Sequence, residues 1–336
     1  RTAIHAKTEN EQKLLAQDYQ ALRRQNPWSF SLRTDIRPSS NVNNGSESAA
    51  NIIDGTPDGG TRPPSALALS GVIGAIDFST SYRLRADQRS ATSLGARLYV
   101  SRVALSDSAK RKAPGVSGSD FRSTYAEVSV AHGFLAGDPD KRGTANISFA
   151  LGESWYAGER NFQFARVSGE RSWVLKSGNR FTLAGSGETR FNARFRSNEA
   201  TVFSFGAIYR LGLSNGDDIS LSAFARDTSA ETPNGKFTSA TLRSNYSFDK
   251  PLGPAKISAT FGLGLSDYDA FLFSNPIGPR PRRDETVFAD VTFFFEDYDY
   301  AGFAPTLKLR AERTKSNFSA FTSREFSVGL GIQSKF

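Results

Sequence analysis

The chain has 336 residues, 23% charged and 12% aromatic, with 27 Phe, no Cys, no Met and a formal net charge of +8. Lacking cysteine, it can hold no disulfide framework, thiol nucleophile or cysteine-ligated zinc, and only His5 and His132 could serve as imidazole ligands. The longest weakly polar run, Ser65 to Ile76, is well short of the ~20 residues a spanning helix needs, so a membrane could be crossed only by a closed barrel.

Residues 1–27 differ from everything after them. Leu15, Tyr19 and Leu22 share one helical face, Lys13, Arg23 and Arg24 lie elsewhere, and Asn26-Pro27 is a stop signal, which predicts one short amphipathic helix. From Trp28 the apolar period becomes two, and residues 28–336 are expected to form one all-β domain. Trp28, Phe30, Leu32 and Ile36 alternate with Arg33, Asp35 and Arg37, and Ile76, Phe78, Tyr82 and Leu84 with Asp77, Arg83 and Arg85. The same rhythm runs through Leu94–Val100, Ala126–Val130, Ala145–Leu151, Val167–Trp173, Phe181–Leu183, Phe203–Leu211, Ile219–Ala223, Leu242–Phe248, Ile257–Leu265, Val287–Phe295 and Leu307–Leu309. It ends in Phe326, Val328, Leu330, Ile332 and Phe336, where Ser334 takes a position expected to be apolar. The total is about fourteen strands, an even number as bacterial outer-membrane barrels require.

The connections alternate in length. Asp87–Ser90, Lys176–Asn179, Ser214–Asp217 and Asp297–Gly302 are short, whereas Ser39–Pro64, Ala104–Ser119 and Asp267–Arg283 are long and polar or rich in Gly and Pro. Short turns at one rim, long loops at the other and aromatic residues near strand ends (Trp28, Tyr82, Trp173, Tyr209, Tyr246, Phe336) predict a transmembrane antiparallel barrel in a Gram-negative outer membrane, preceded by the short helix. Its first partner is the lipid bilayer. Basic residues are scattered at alternate positions, with no basic helix or RNA-binding aromatic motif, so nucleic acid is not expected.

Two stretches resemble a known family. NPWSFSLRTDIRPSSNVNNGSES (Asn26–Ser48) resembles the start of the barrel domain of surface lipoprotein assembly modifiers (Slam), with Asn41 and Asn43 in its P-x-S-N-x-N segment. Pro281–Phe321 is similar to that family's last hairpins, in its Arg282-Arg283-Asp284 start, its G-F-x-P turn (Gly302, Pro305) and its Ser316-Asn317 pair. The resemblance implies a roughly fourteen-stranded barrel that helps surface lipoproteins or related exported proteins across the outer membrane, following a periplasmic helical-repeat domain that the helix before Pro27 would close. It also implies an exported lipoprotein client. A terminal Phe336 on the lipid face is then the signal read by the barrel-assembly machinery.

No constellation points to an enzyme, a cofactor or a metal. His132 lies near Ser129 and Glu127, but a triad is recognised by geometry rather than by sequence proximity. Asp138 with Asp140, and Asp297 with Asp299, occupy turns that favour Asp for backbone reasons. The lumen is the expected site: Arg33, Arg37, Arg83, Arg85, Arg97, Arg243, Lys308 and Arg310 carry inward parity, balanced in part by Asp35, Asp77, Glu127, Asp290, Glu312 and Glu325. Either these form a ladder that props a polar interior, or they form a basic channel that attracts anions or an acidic segment in transit. A passive porin for small anions is the alternative function. Since closure joins the first and last strands, the loop Asn41–Asn44 and Asn317 are expected to be neighbours at a rim.

Overall fold

The computed structural model describes residues 26–137, 143–273 and 278–335. The helix expected before Pro27, the Asp138 and Asp140 pair, and Phe336 lie outside the described residues. The strands are β1 (Trp28–Ser39), β2 (Ala50–Ile53), β3 (Thr56–Thr61), β4 (Gly71–Ala86), β5 (Ser90–Leu105), β6 (Ser123–Ala136), β7 (Gly143–Tyr156) and β8 (Glu159–Val174). They continue as β9 (Arg180–Phe191), β10 (Ala200–Gly212), β11 (Asp218–Ala230), β12 (Phe237–Ser247), β13 (Lys256–Phe271), β14 (Arg280–Phe294), β15 (Phe303–Ser316) and β16 (Ser323–Ser334). Fourteen of them form one closed barrel in which each strand pairs with its chain neighbours and β1 pairs with β16; β2 and β3 form a separate hairpin in the first loop. One short helix, α1 (Asp107–Lys112), lies in the second long loop, capped by the Ser106 hydroxyl.

Pairing registers confirm the alternation. Leu32 faces Phe78, Phe149 faces Val167, and Leu307 faces Leu330 on one side of the wall. The intervening registers pair Arg33 with Asp77, Arg166 with Glu188, and Arg310 with Ser327. Ile36, Leu330, Val128 and Phe205 each keep more than 60% of their surface exposed on the outer face. A continuous apolar surface of that kind is stable in hydrocarbon and not in water. The protein is therefore an outer-membrane β-barrel, and among the described residues no helix is long and apolar enough to span.

Both ends of the strand circuit, the start of β1 and the end of β16, lie at the rim with the turns 87–89, 175–179 and 213–217. The loops 40–70 and 106–122 leave the opposite rim, which marks it as extracellular. Loop lengths there are less uniform than the sequence suggested. β7 and β8 are joined by only Ala157 and Gly158, with φ of 54° and 89°, the left-handed pair of a tight hairpin turn. The link expected from Asp267 to Arg283 is shorter as well, because β13 runs to Phe271 and these two residues pair within the barrel. The girdle aromatics gather mainly at the periplasmic rim, where Trp28 meets Tyr82 edge-on (4.8 Å) and Trp173 stacks on Phe181 (5.9 Å).

Candidate functional site

The strand period places a band of charge inside the barrel. On β4 to β9 the band is continuous: Arg97 makes two 2.9 Å bonds to Asp77, and its guanidinium lies 5.9 Å from the Tyr125 ring. Glu127 accepts from both Tyr125 and Arg166, Arg166 Nη1 donates to Glu188 at 3.2 Å, and Arg190 Nε donates to Glu188 at 2.7 Å. Arg190 rests 4.4 Å over Phe162 and Arg166 5.1 Å over Phe164. Three carboxylates thus hold three guanidiniums, each donating to charged acceptors with bonds stronger than neutral ones. A second cluster joins β14 and β15, where Arg310 donates to Asp290 (3.1 Å) and to Glu312, with Lys308 3.5 Å from Asp290.

Three aromatic side chains in this interior sit over glycines on the strand beside them. A Cβ on Gly152 would lie 2.4 Å from Phe164, one on Gly206 2.2 Å from Phe224, and one on Gly262 2.1 Å from Phe288. In each pair the glycine and the phenylalanine are direct cross-strand partners, so the ring fills the space a side chain would take. Phe288 in turn carries Arg243 at 5.3 Å and Arg310 at 5.7 Å. The alternation in the sequence names aromatics only on the apolar face and does not assign Phe164, Phe224 or Phe288. These three share the inward parity of Arg166, Arg226 and Asp290, and the glycine opposite each makes room for its ring.

Of the expected lumen cations, Arg33, Arg37, Arg83, Arg97, Arg243, Lys308 and Arg310 carry inward parity. Arg37 pairs with Asp35 (3.1 Å), and Arg83 reaches the Asn26 carbonyl at the periplasmic rim (3.3 Å). Arg85 does not belong with them. A bulge between Arg83 and Arg85 sets Arg85 opposite Thr92, which has the outward parity of β5, so Arg85 leaves the lumen for the rim. Arg226, missed in the sequence, points inward and forms no ion pair among the described residues; its Nε is buried without a hydrogen bond and its guanidinium lies 5.9 Å from Phe237. Towards the periplasm the wall carries a recess of ≈ 610 Å³ lined by hydroxyls and by Arg210, Arg243 and Asp218.

The extracellular mouth is partly covered. Ile73, Val103 and Leu105 point inward at the tops of β4 and β5 and pack with Ala109 and Ala113 of the α1 loop and with Val42 and Leu69 of the first loop. Across the mouth, Ile53 from the β2–β3 hairpin packs with Phe271, Phe318 and Phe321. Arg282 sits among these rings, 3.3 Å from the Phe321 centroid and 4.7 Å from that of Phe271, and is paired to Asp284.

The first and last loops meet at this rim, with Asn317 against Asp54 and with Asn41 and Asn44 against Arg324 and Ser323 of β16. Asn317 Nδ2 donates to Asp54 Oδ1 (2.9 Å) and to the Pro281 carbonyl (3.0 Å), while its Oδ1 accepts from the Arg283 N–H (2.8 Å). Arg283 also pairs with Asp267 at 3.7 Å. Ser316 Oγ accepts from the Phe318 N–H. Asn41 donates to the Gly45 and Arg324 carbonyls, and Asn43 holds Leu67 and Leu69. These amides are occupied in shaping the loops. Arg62, buried in the first loop, donates to the Ser48 and Ala50 carbonyls and to Ser319 Oγ, and its burial lowers its pKa from the ordinary guanidinium value. At the other rim, Gly302 takes φ 83° in its turn, and Phe295 N–H donates to the Pro305 carbonyl.

The joint between β1 and β16 differs from the other thirteen. Only Arg33–Gln333, Ile36–Leu330 and Ser39–Ser327 register as paired residues, whereas β1 and β4 pair at every position from Trp28 to Ser39. Hydroxyls stand in for missing carbonyl partners: Leu32 N–H donates to Ser334 Oγ (3.2 Å), Ile332 N–H to Thr34 Oγ1 (3.1 Å) and Phe326 N–H to Ser40 Oγ (2.9 Å). Ser334, out of place as a lipid-facing residue, is thereby accounted for.

His132 faces outward and contacts Thr92 Oγ1 through Nδ1 (2.9 Å), while Ser129 and Glu127 face inward, so these three are not brought together. Asp299 accepts from Lys335 (3.1 Å).

No family model matches the sequence, and no curated protein does. Among solved structures, the chain is similar to OccAB3 of Acinetobacter baumannii, at 8% identity over 91% of this chain and 99% of that one, with a TM-score of 0.46. It is similar to an outer membrane channel of Pseudomonas putida F1 (12% identity, 90% and 94% covered, TM-score 0.39) and to the β domain of the Bordetella autotransporter BrkA (12% identity, 93% and 100% covered, TM-score 0.36).

Proposed function

We propose that this barrel assists the translocation or surface display of lipoproteins or related exported proteins, as the Slam-like chain ends imply, without covalent chemistry or a cofactor. The observation that carries this reading is the sparse β1–β16 joint. A lipid-anchored client must keep its acyl chains in hydrocarbon while its polypeptide crosses, and a wall that parts at one joint gives both a path. The first loop crosses that joint through Asp54 and Asn317 and through Glu47, which pairs with Arg324 of β16 at 3.0 Å. Its partners are the bilayer, the barrel-assembly machinery that inserts it and an exported client.

A second reading, a passive porin for small anions, is favoured by the inward Arg226, which forms no ion pair among the described residues, and by Arg210 and Arg243, which outnumber Asp218 in the periplasmic recess. Planar-bilayer recording separates the two. A translocation barrel closed by its loops gives brief, rare openings without a client, whereas stable anion-selective conductance from the purified barrel favours the porin. Surface labelling of a lipoprotein encoded beside the gene, with and without the barrel, tests the first reading; unchanged display contradicts it.

A further inference from the structure

Outside the lumen, the extracellular end of the wall holds a recess of ≈ 300 Å³ lined by Arg102, Arg122, Thr124, Trp155 and Gly158. We propose that it binds a phosphorylated headgroup of an outer-leaflet lipid.

Arg102 and Trp155 have the outward parity of β5 and β7; Arg102 lies directly above Val100, and Trp155 above Glu153 and then Leu151 of the lipid-facing belt. Val100 pairs with Thr124 and Ser101 with Ser123, so the next step of the register brings Arg102 opposite Arg122. Thr124 pairs with Trp155, which completes a row of two cations, a hydroxyl and an indole at headgroup height.

The recess is held open by structure. Ala157 N–H donates to the Arg122 carbonyl (2.9 Å), and the Arg122 guanidinium lies so close to Gly158 that an added Cβ would be 1.8 Å from Nη2. Arg102 is oriented by the Ser101 and Ser123 carbonyls (2.8 and 2.9 Å) and by Thr124 Oγ1 (3.3 Å). All of these are neutral acceptors. The carboxylates nearest in sequence are engaged: Glu153 accepts from Arg160 (2.7 Å) and Gln163 (3.1 Å), Asp120 from the Ser117 N–H (2.9 Å), and Glu159 pairs with Arg194. Two exposed guanidiniums that pair with no carboxylate among the described residues, on a wall facing lipid, are balanced by an anion that the membrane itself presents. A phosphate matches their fork geometry, and the Trp155 face suits the adjoining sugar or acyl edge. The two-residue Ala157–Gly158 turn keeps the rim low here, so a headgroup reaches the row unobstructed.

The test uses the purified barrel in detergent, with Trp fluorescence reporting the binding of bis-phosphorylated lipid A, of the same lipid with its phosphates removed, and of inorganic phosphate. The expected result is saturable binding of the phosphorylated lipid, weakened about tenfold or more in R102Q/R122Q and unchanged in R324Q, with loss of binding when the phosphates are removed. Both arginines are exposed and Arg122 lies outside the strand ladder, so heat-modifiable gel migration should be unchanged; the single variants R102Q and R122Q provide the same reading should the double variant fail to fold. Equal affinity for the dephosphorylated lipid, or for the double variant, overturns the proposal. Inorganic phosphate binding as tightly as the lipid assigns the site to a free anion and overturns it too.

Discussion

Asp54 of the first loop and Asn317 of the last are bonded twice: Asn317 Nδ2 donates to Asp54 Oδ1, and the Asp54 N–H donates to the Asn317 carbonyl, each at 2.9 Å. The pair ties the loop that follows β1 to the turn that precedes β16, across the joint that closes the barrel. Asn317→Ala is expected to free the first loop at a cost of about 1–2 kcal/mol, since several polar groups lose their partner together. Hydrogen exchange at residues 46–62 should then quicken roughly five- to thirtyfold while strand amides stay protected.

Arg166 holds both Glu127 and Glu188. Arg166→Met leaves two carboxylates facing each other in a confined interior. A dry pair broken in this way costs about 3–5 kcal/mol, and solvent in the lumen reduces that, so a loss of about 2 kcal/mol is expected in urea unfolding from lipid vesicles. Removing the Arg324–Glu47 pair, whose arginine side chain is 70% exposed, should cost less than about 1 kcal/mol.

The ring of Phe288 occupies the side-chain space of Gly262. Gly262→Val is expected to displace the ring, and with it the support for Arg243 and Arg310, lowering stability by about 1–3 kcal/mol. Combining it with Phe288→Ala should cost less than the sum of the two single changes, because the clash is then gone. Strict additivity in unfolding experiments would contradict the packing described.

Acid should loosen the periplasmic turns. Asp217 is held below its ordinary 3.8 first by the Tyr246 hydroxyl and then by the Asp249 N–H, and Asp87 by the Arg89 and Ser90 donors. A carboxylate whose pKa is depressed by folding stabilises the fold above its unfolded value, and that contribution is lost as pH falls through the lower folded value. Turn amides at 87–90 and 213–217 should therefore exchange at a constant relative rate above about pH 4 and faster below it. In Asp217→Asn the pH dependence at the second turn should disappear.

Much of this architecture was legible in the chain. Each of the fourteen barrel strands follows a run of alternation, because one face meets lipid and the other water, and the period survives almost every residue choice. The meeting of the first and last loops followed from closure alone. What escaped notice depended on local exceptions to the period. The bulge before Arg85 adds one residue and turns that side chain outward, which alternation cannot register. Inward Phe164, Phe224 and Phe288 are not singled out by it, because what each ring does depends on the glycine across the strand. Asp267 and Arg283 read as loop residues because polar side chains at the top of a strand resemble a loop, although they pair in register. The hydroxyls of Thr34, Ser40 and Ser334 that bridge the closing joint carry no pattern at all, since their role exists only once β1 and β16 are side by side.

The central claim is that exported chains use a joint between β1 and β16 that can part, and the absence of native cysteine makes it directly testable. Ile36 and Leu330 are register partners across that joint, at a strand spacing that suits a disulfide. In the variant carrying Ile36→Cys and Leu330→Cys, surface labelling of the neighbouring lipoprotein should fall to background when oxidised and recover on reduction, with barrel levels in the membrane unchanged. Full display with the disulfide formed would contradict the account.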